Sequence, residues 1–111
     1  MTTYEVVLLE QAYQFLDSLD KKMRAKAYRS IELLKQFGHR LPMPHAKKLK
    51  GYELHELRIK HGTDIIRMFY FITGDTVCVI TSGYVKKSNH TNRTEIERAI
   101  RLRDQFLEEE R

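Results

Sequence analysis

The chain has a single cysteine, Cys78, so no intramolecular disulfide can form and the cysteine pairs of a structural zinc site are missing. Set in the run TVCVI, that thiol is expected to serve as a small buried hydrophobe. No apolar run reaches the roughly 18 residues of a membrane span. The beginning, MTTYEVVLLEQAYQF, carries no basic segment followed by a long apolar one, and the expectation is a soluble, cytoplasmic protein with no membrane partner. Helix-turn-helix, zinc-finger and RNP-type signals are also absent, as is a glycine loop of the kind that forms a phosphate pocket. His45, His55 and His61 have no carboxylate or cysteine partners at metal-ligand spacing, so no metal and no cofactor is expected.

What is present is ordinary in amount and uneven in distribution. With 111 residues, 41% hydrophobic and 32% charged, residues 1–111 are expected to form one domain around one modest core. The formal charge is +5, yet residues 40 to 93 hold ten Lys/Arg against four Asp/Glu, while the rest of the chain holds ten against eleven. Such a concentrated positive field suits a polyanion or an acidic protein, without choosing between them.

The apolar periodicity predicts the elements. Tyr4 to Leu9 forms a short β-type run, and Ala12, Phe15, Leu16 and Leu19 follow helical spacing. Asp20 is the expected N-cap of a second helix with the stripe Met23, Ala27, Ile31 and Leu34, ended by Gly38. Both prolines of the chain fall between His39 and Gly51, in a segment without period that reads as a loop. Three strands follow, Tyr52 to Lys60, Asp64 to Ile72 and Thr76 to Val85, joined by HGT and TGD turns. From Thr91 or Asn92 onward, Ile96, Ala99, Ile100, Phe106 and Leu107 share a helix face. The order β-α-α-β-β-β-α predicts an α+β fold, a mainly antiparallel four-stranded sheet with its helices packed on one face.

Two arginines stand out on strands otherwise built of Leu, Ile, Met and Phe. A four-residue connection from His61 to Asp64 pairs Lys60 with Ile65 and sets Arg58 directly opposite Arg67. The alternate face then carries Leu57 opposite Met68 and Ile59 opposite Ile66, a coherent core side. Like charges facing each other are destabilising unless an anion or a carboxylate compensates. The pair is therefore either an anion site or two arginines bridged by Glu56 at the solvated rim of the sheet.

The stretch KKLKGYELHELRIKHGTDIIRMFYFITGDTVCVITSGYVKK, followed by EIERAIRLRDQFL, resembles the RelE/ParE toxin superfamily, most closely the phage-derived HigB-like branch of type II toxin–antitoxin systems. KLKG followed by ELR, the Arg-x-Phe-Tyr strand, the Lys-Lys exit and the Glu-Ile-Glu-Arg-Ala helix carry the likeness over nearly the whole chain. It implies a RelE-like fold and an endoribonuclease that cuts messenger RNA, usually on the translating ribosome, held inactive by a neighbouring helix-turn-helix, HigA-like antitoxin. The metal-free catalytic roles would fall to Arg58, Arg67 and Lys86, with Lys87, Tyr84 and His90 beside them. Two departures are visible: His55 stands where an aromatic is usual, and HTNRTEI replaces a more usual Lys-Thr-Pro-x-x-Glu-Ile.

Elementary chemistry supports the same residues. Attack of a 2′-hydroxyl on the adjacent phosphorus needs a base, an acid for the departing 5′-oxygen, and cations to hold the phosphorane. Arg58 and Arg67 suit the last task, since a guanidinium grips two phosphate oxygens and stays charged. Lys86, crowded by Arg58, Arg67 and Lys87, should have a lowered pKa and could act as base or as clamp. Tyr84 shares its strand face, where it could stack on a base, transfer a proton, or serve as a half-buried sheet tyrosine. His90 could act as acid or base from a solvated loop. Lys47, Lys48 and Lys50, in the loop ahead of the strands, are candidate RNA-phosphate contacts. Two other function classes stay open, a ParE-like inhibitor of DNA gyrase and a nucleic-acid-binding module without chemistry.

Overall fold

Asp20 divides the helical part of the chain where the sequence places the break, its side chain accepting the Met23 N–H at 2.9 Å. In the computed structural model, which describes residues 3–86 and 92–110, it separates helix α1 (Glu10–Ser18) from α2 (Lys21–Phe37). Arg24 of α2 ties the two together: Nε donates to the Leu16 carbonyl at 3.0 Å, and NH2 to the carbonyls of Asp17 and Leu19 at 3.1 and 2.9 Å. These carbonyls lie at the C-terminus of α1, where intrahelical donors run out, so one side chain serves a helix end, although the Leu16 carbonyl also accepts the Leu19 N–H at 3.2 Å. Gly38 ends α2 with φ of 49°, and a Cβ there would meet the Tyr4 ring at 2.2 Å, which leaves the position to glycine.

The strands are β1 (Glu5–Leu8), β2 (Ala46–Leu49), β3 (Leu54–His61), β4 (Asp64–Thr73) and β5 (Val77–Lys86), and α3 (Arg93–Glu109) closes the described chain. They form one sheet in the order β1-β5-β4-β3-β2, with β1 parallel to β5 and every other pair antiparallel. The expected β3–β4 register is observed, with Arg58 opposite Arg67, Leu57 opposite Met68 and Ile59 opposite Ile66. Asn92 is the N-cap of α3, accepting the Glu95 N–H at 3.2 Å, whereas Thr91 lies outside the described residues.

Two expectations need correction. Residues 46–49 are a fifth strand rather than loop: past Pro44, Ala46 faces Leu57 and Leu49 faces Leu54, giving the segment an apolar partner on each side of the sheet. Helices also cover both faces instead of one. β4 is apolar on both sides, so neither side can be left to water. Ile66, Met68 and Tyr70 pack with α1 and α2 residues such as Leu16, Ala27 and Leu34, while Phe69 and Phe71 pack on the other side with Ile96 and Ala99 of α3. Each buried Leu, Ile, Met or Phe among these contributes about 1.5–3 kcal/mol. The departure at His55 changes packing, since its ring stacks on Tyr70 with centroids 5.1 Å apart. Burial, then Lys48 and His39, lower its pKa.

A β-bulge in β5 sets up the site. The register shifts between Phe69 and Tyr70 of β4, which face Ser82 and Ile80, so Thr81 is the extra residue. The Thr81 hydroxyl donates to the Phe69 carbonyl at 3.4 Å. Before the bulge, Cys78 and Ile80 belong to the core under α1 and α2; after it, Tyr84 and Lys86 share the opposite face with Arg67. Cys78 is buried, and burial pushes its thiol up to about 11.

Candidate functional site

α3 covers Phe69, Phe71 and Val79 on its face of the sheet. Beyond them the same face carries Glu56 and Arg58 from β3, Arg67 from β4, Tyr84 and Lys86 from β5, and Lys47 from the edge strand β2, around a cavity of about 270 Å³. Strand alternation and register bring these six together from four strands: Lys47 faces Glu56, Arg58 faces Arg67, and Arg67 faces Tyr84. Four cations surround a single carboxylate.

That carboxylate is buried. Glu56 accepts a short hydrogen bond from Arg67 NH1, and the Arg58 Nε lies 3.8 Å from the same oxygen. Glu56 does bridge both arginines, but with its side chain only 4% exposed it does so inside the sheet surface and not at a solvated rim. Arg67 is 10% exposed and Arg58 26%, so Arg67 is the fixed member and Arg58 the one open to a ligand. The Arg67 Nε is buried and has no hydrogen-bond partner among the described residues.

Lys86 is buried, and its pKa is lowered first by that burial and then by Arg67, with Arg58 and Lys47 adding and Glu56 opposing. Tyr84 moves the other way. Burial and the Glu56 and Glu95 carboxylates raise its pKa, against Arg67 and the Asn92 backbone N–H at the start of α3. Its ring is half-buried and stacked on Phe69 at 5.8 Å, so one face is already covered. Behind the site, Gly83 lets α1 approach closely: a Cβ there would meet the Phe15 ring at 2.5 Å and the Arg67 carbonyl at 3.0 Å.

Of the residues expected from the sequence, Arg58, Arg67, Tyr84 and Lys86 are thus brought together. Of the three lysines expected in a single loop, Lys47 lines the cavity, Lys48 faces His55 on the other side of β2, and Lys50 is exposed in the turn that follows. The loop expectation hid this difference, because strand alternation separates neighbours that a loop would leave equivalent. Lys87 and His90 lie outside the described residues. The buried position of Glu56 was not legible either; its spacing two residues before Arg58 was the available signal.

The family described as Phage derived protein Gp49-like matches residues 14–104. Among solved structures, the toxin RelE of E. coli in a mutant free state is 16% identical, with a TM-score of 0.66 over 92% of this chain and 98% of that one. The toxin–antitoxin complex RelBE2 of Mycobacterium tuberculosis gives 21% identity and a TM-score of 0.57 over 77% of this chain and 100% of that one. The RelE–RelB complex of Pyrococcus horikoshii gives 23% and 0.56 over 80% and 100%. At these identities the likeness shows a RelE-like fold. A comparison with curated proteins yields no match.

Proposed function

The chain belongs to the phage-derived Gp49-like protein family, and on that footing we propose that it is a HigB-like toxin of a type II toxin–antitoxin system, an endoribonuclease that cleaves messenger RNA on the translating ribosome. The observation that carries this reading is the Arg58–Arg67 pair, with Lys86 and Tyr84 one strand further along the same face.

In such a reaction the 2′-hydroxyl oxygen attacks the adjacent phosphorus as the bond to the 5′-oxygen breaks, leaving a 2′,3′-cyclic phosphate and a 5′-hydroxyl. The charge that builds on the phosphorane is held by guanidinium and ammonium groups, so no metal ion is called on. Arg67, oriented by Glu56, directs a guanidinium N–H at one non-bridging oxygen, and Arg58 grips the phosphate from the open side. Lys86, with its lowered pKa, accepts the 2′-hydroxyl proton, and Tyr84, kept protonated, donates to the departing 5′-oxygen. Lys47 holds a flanking phosphate, whereas Lys48, on the other side of β2, and Lys50, in the turn that follows, lie outside the cavity. Lys87 and His90 are further candidates for the proton transfers.

The same cationic face would attract an acidic or amphipathic segment of a cognate antitoxin, of the helix-turn-helix, HigA-like kind. That two of the solved relatives are toxin–antitoxin complexes supports an antitoxin partner. The test is induced expression with and without the neighbouring gene, combined with mapping of messenger RNA 5′ ends. Growth arrest with new internal 5′ ends, both relieved by the neighbour, is the expected result. Arrest with intact transcripts and trapped gyrase–DNA complexes would move the assignment to a ParE-like gyrase inhibitor.

A further inference from the structure

A second and larger groove, of about 520 Å³, lies between α2 and the β3–β4 hairpin. Its polar wall is Lys26, Arg29 and Ser30 of α2 with His45, Arg58 and Lys60, and its floor includes Ile59 and Ile65. Among the described residues no carboxylate lines it. Arg58 and Ile65 line the catalytic candidate cavity as well, so the two depressions share a wall at the ends of β3 and β4. The Arg58 N–H donates to the His45 carbonyl at 2.8 Å, which fixes the loop side of the groove to the same residue.

The charge on α2 is not explained by the stability of the helix. Six of its residues are Lys or Arg and one is acidic; the Asp20 cap supplies the anion that the helix dipole favours at the N-terminus, and no residue of the first turn adds to it. Arg24 is occupied in closing α1, but Lys22, Lys26 and Arg29 follow one another at the i, i+4, i+7 spacing of a single helix face. Lys26 and Arg29 of that stripe reach the groove. Cations gathered without acids repel one another, a cost that a polyanion removes.

We propose that this groove binds the sugar-phosphate backbone of RNA on one flank of the scissile phosphate, so that a single strand runs from the Lys26–Arg29 wall past Arg58 into the cluster around Arg67. The proposal rests on the endoribonuclease reading and adds to it a second contact site and a direction for the strand. Its consequence is a dependence on RNA length. A short oligonucleotide fills only the cluster, and a longer one also releases counterions from the groove.

The experiment uses the full chain and non-cleavable 2′-O-methyl RNA of three and twelve nucleotides, with affinity followed by fluorescence anisotropy across a salt series. In the double variant Lys26→Ala/Arg29→Ala, binding of the twelve-mer should weaken about tenfold and its log–log salt slope should fall by about 1.4, two single-strand phosphate contacts, while three-mer binding is unchanged. Lys26→Glu/Arg29→Glu should weaken it further, with wild-type thermal unfolding in both variants as the check on folding. Wild-type twelve-mer affinity and slope in both variants would overturn the groove while leaving the cluster standing. No RNA binding by the wild-type chain at either length would also overturn the groove, while the endoribonuclease reading stands or falls separately on the mapping of messenger RNA 5′ ends. Unchanged RNA binding with lost binding to the protein made by the neighbouring gene would give the groove to an acidic protein segment and overturn the RNA assignment.

Discussion

Glu56 and Arg67 form a buried ion pair across the β3–β4 pair, diagonal to the register that sets Arg58 opposite Arg67. The carboxylate lets two guanidinium groups share one sheet position, and it points the more buried of the two. Removing it leaves Arg67 buried beside Arg58 with nothing between them. Breaking a buried pair in this way costs about 3 kcal/mol. Glu56→Ala should therefore shift the urea unfolding midpoint down by a corresponding amount, and added phosphate, which can take the place of the carboxylate, should restore part of it. A midpoint equal to wild type in the absence of phosphate would show that the pair carries no such weight.

Arg67→Lys separates charge from geometry. An ammonium can still pair with Glu56, but it loses the second arm of the guanidinium fork. Cleavage of reporter transcripts should fall about 100-fold or more with little change in the melting curve. Arg67→Ala is less informative, because it also leaves the buried Glu56 with only the Arg58 Nε, 3.8 Å away, and should be unstable. Wild-type cleavage by the lysine variant would remove the bidentate role.

Lys86 should give activity an alkaline dependence. A base titrating below the ordinary lysine value makes the cleavage rate rise with pH and level off before about 10.5. The linked stability has the same sign: between the folded and unfolded pKa values the unfolded chain binds more protons, so stability also rises with pH across that window. Lys86→Arg, which keeps the charge but cannot deprotonate, should lose about 100-fold in rate and flatten the pH profile. A profile unchanged by that substitution would assign the proton acceptor elsewhere.

The alternation of β2 predicts different outcomes at adjacent lysines. Lys47→Ala should reduce the salt slope of RNA binding by about 0.7, the loss of one single-strand phosphate contact. Lys48→Ala, on the His55 side of the strand, should leave that slope unchanged. Equal effects at the two positions would mean that RNA does not read the faces of β2 as the sheet arranges them.

Gly83 provides a test of support from behind the site. Adding a methyl group there drives it into Phe15 and towards the Arg67 carbonyl, and overpacking of this kind costs about 1–3 kcal/mol. Gly83→Ala should lower the melting temperature, and the double variant with Phe15→Ala should lose less than the two single losses combined, since removing the ring relieves the overlap that the added methyl creates. Strict additivity of the two changes would deny the contact.

By itself the sequence determined the elements other than β2, and the register of the β3–β4 pair. Helical spacing, the Asp20 cap and Gly38 marked α1 and α2, and the hairpin between His61 and Asp64 allowed one register that kept Leu57, Ile59, Ile66 and Met68 on a common face. That register alone placed Arg58 opposite Arg67. Tertiary structure decided what one-dimensional period cannot express. α3 goes to the face opposite α1 and α2 because β4 is apolar on both sides, and a run such as IIRMFYFI does not say which helix covers which side. The bulge at Thr81 reverses the alternation of β5, turning Tyr84 and Lys86 towards Arg67, and a bulge is fixed by the partner strand rather than by local residues. Burial of Glu56 and the joining of Lys26 and Arg29 to the far side of Arg58 also depend on residues distant in the chain, because desolvation and charge act through space and only the folded chain sets those distances.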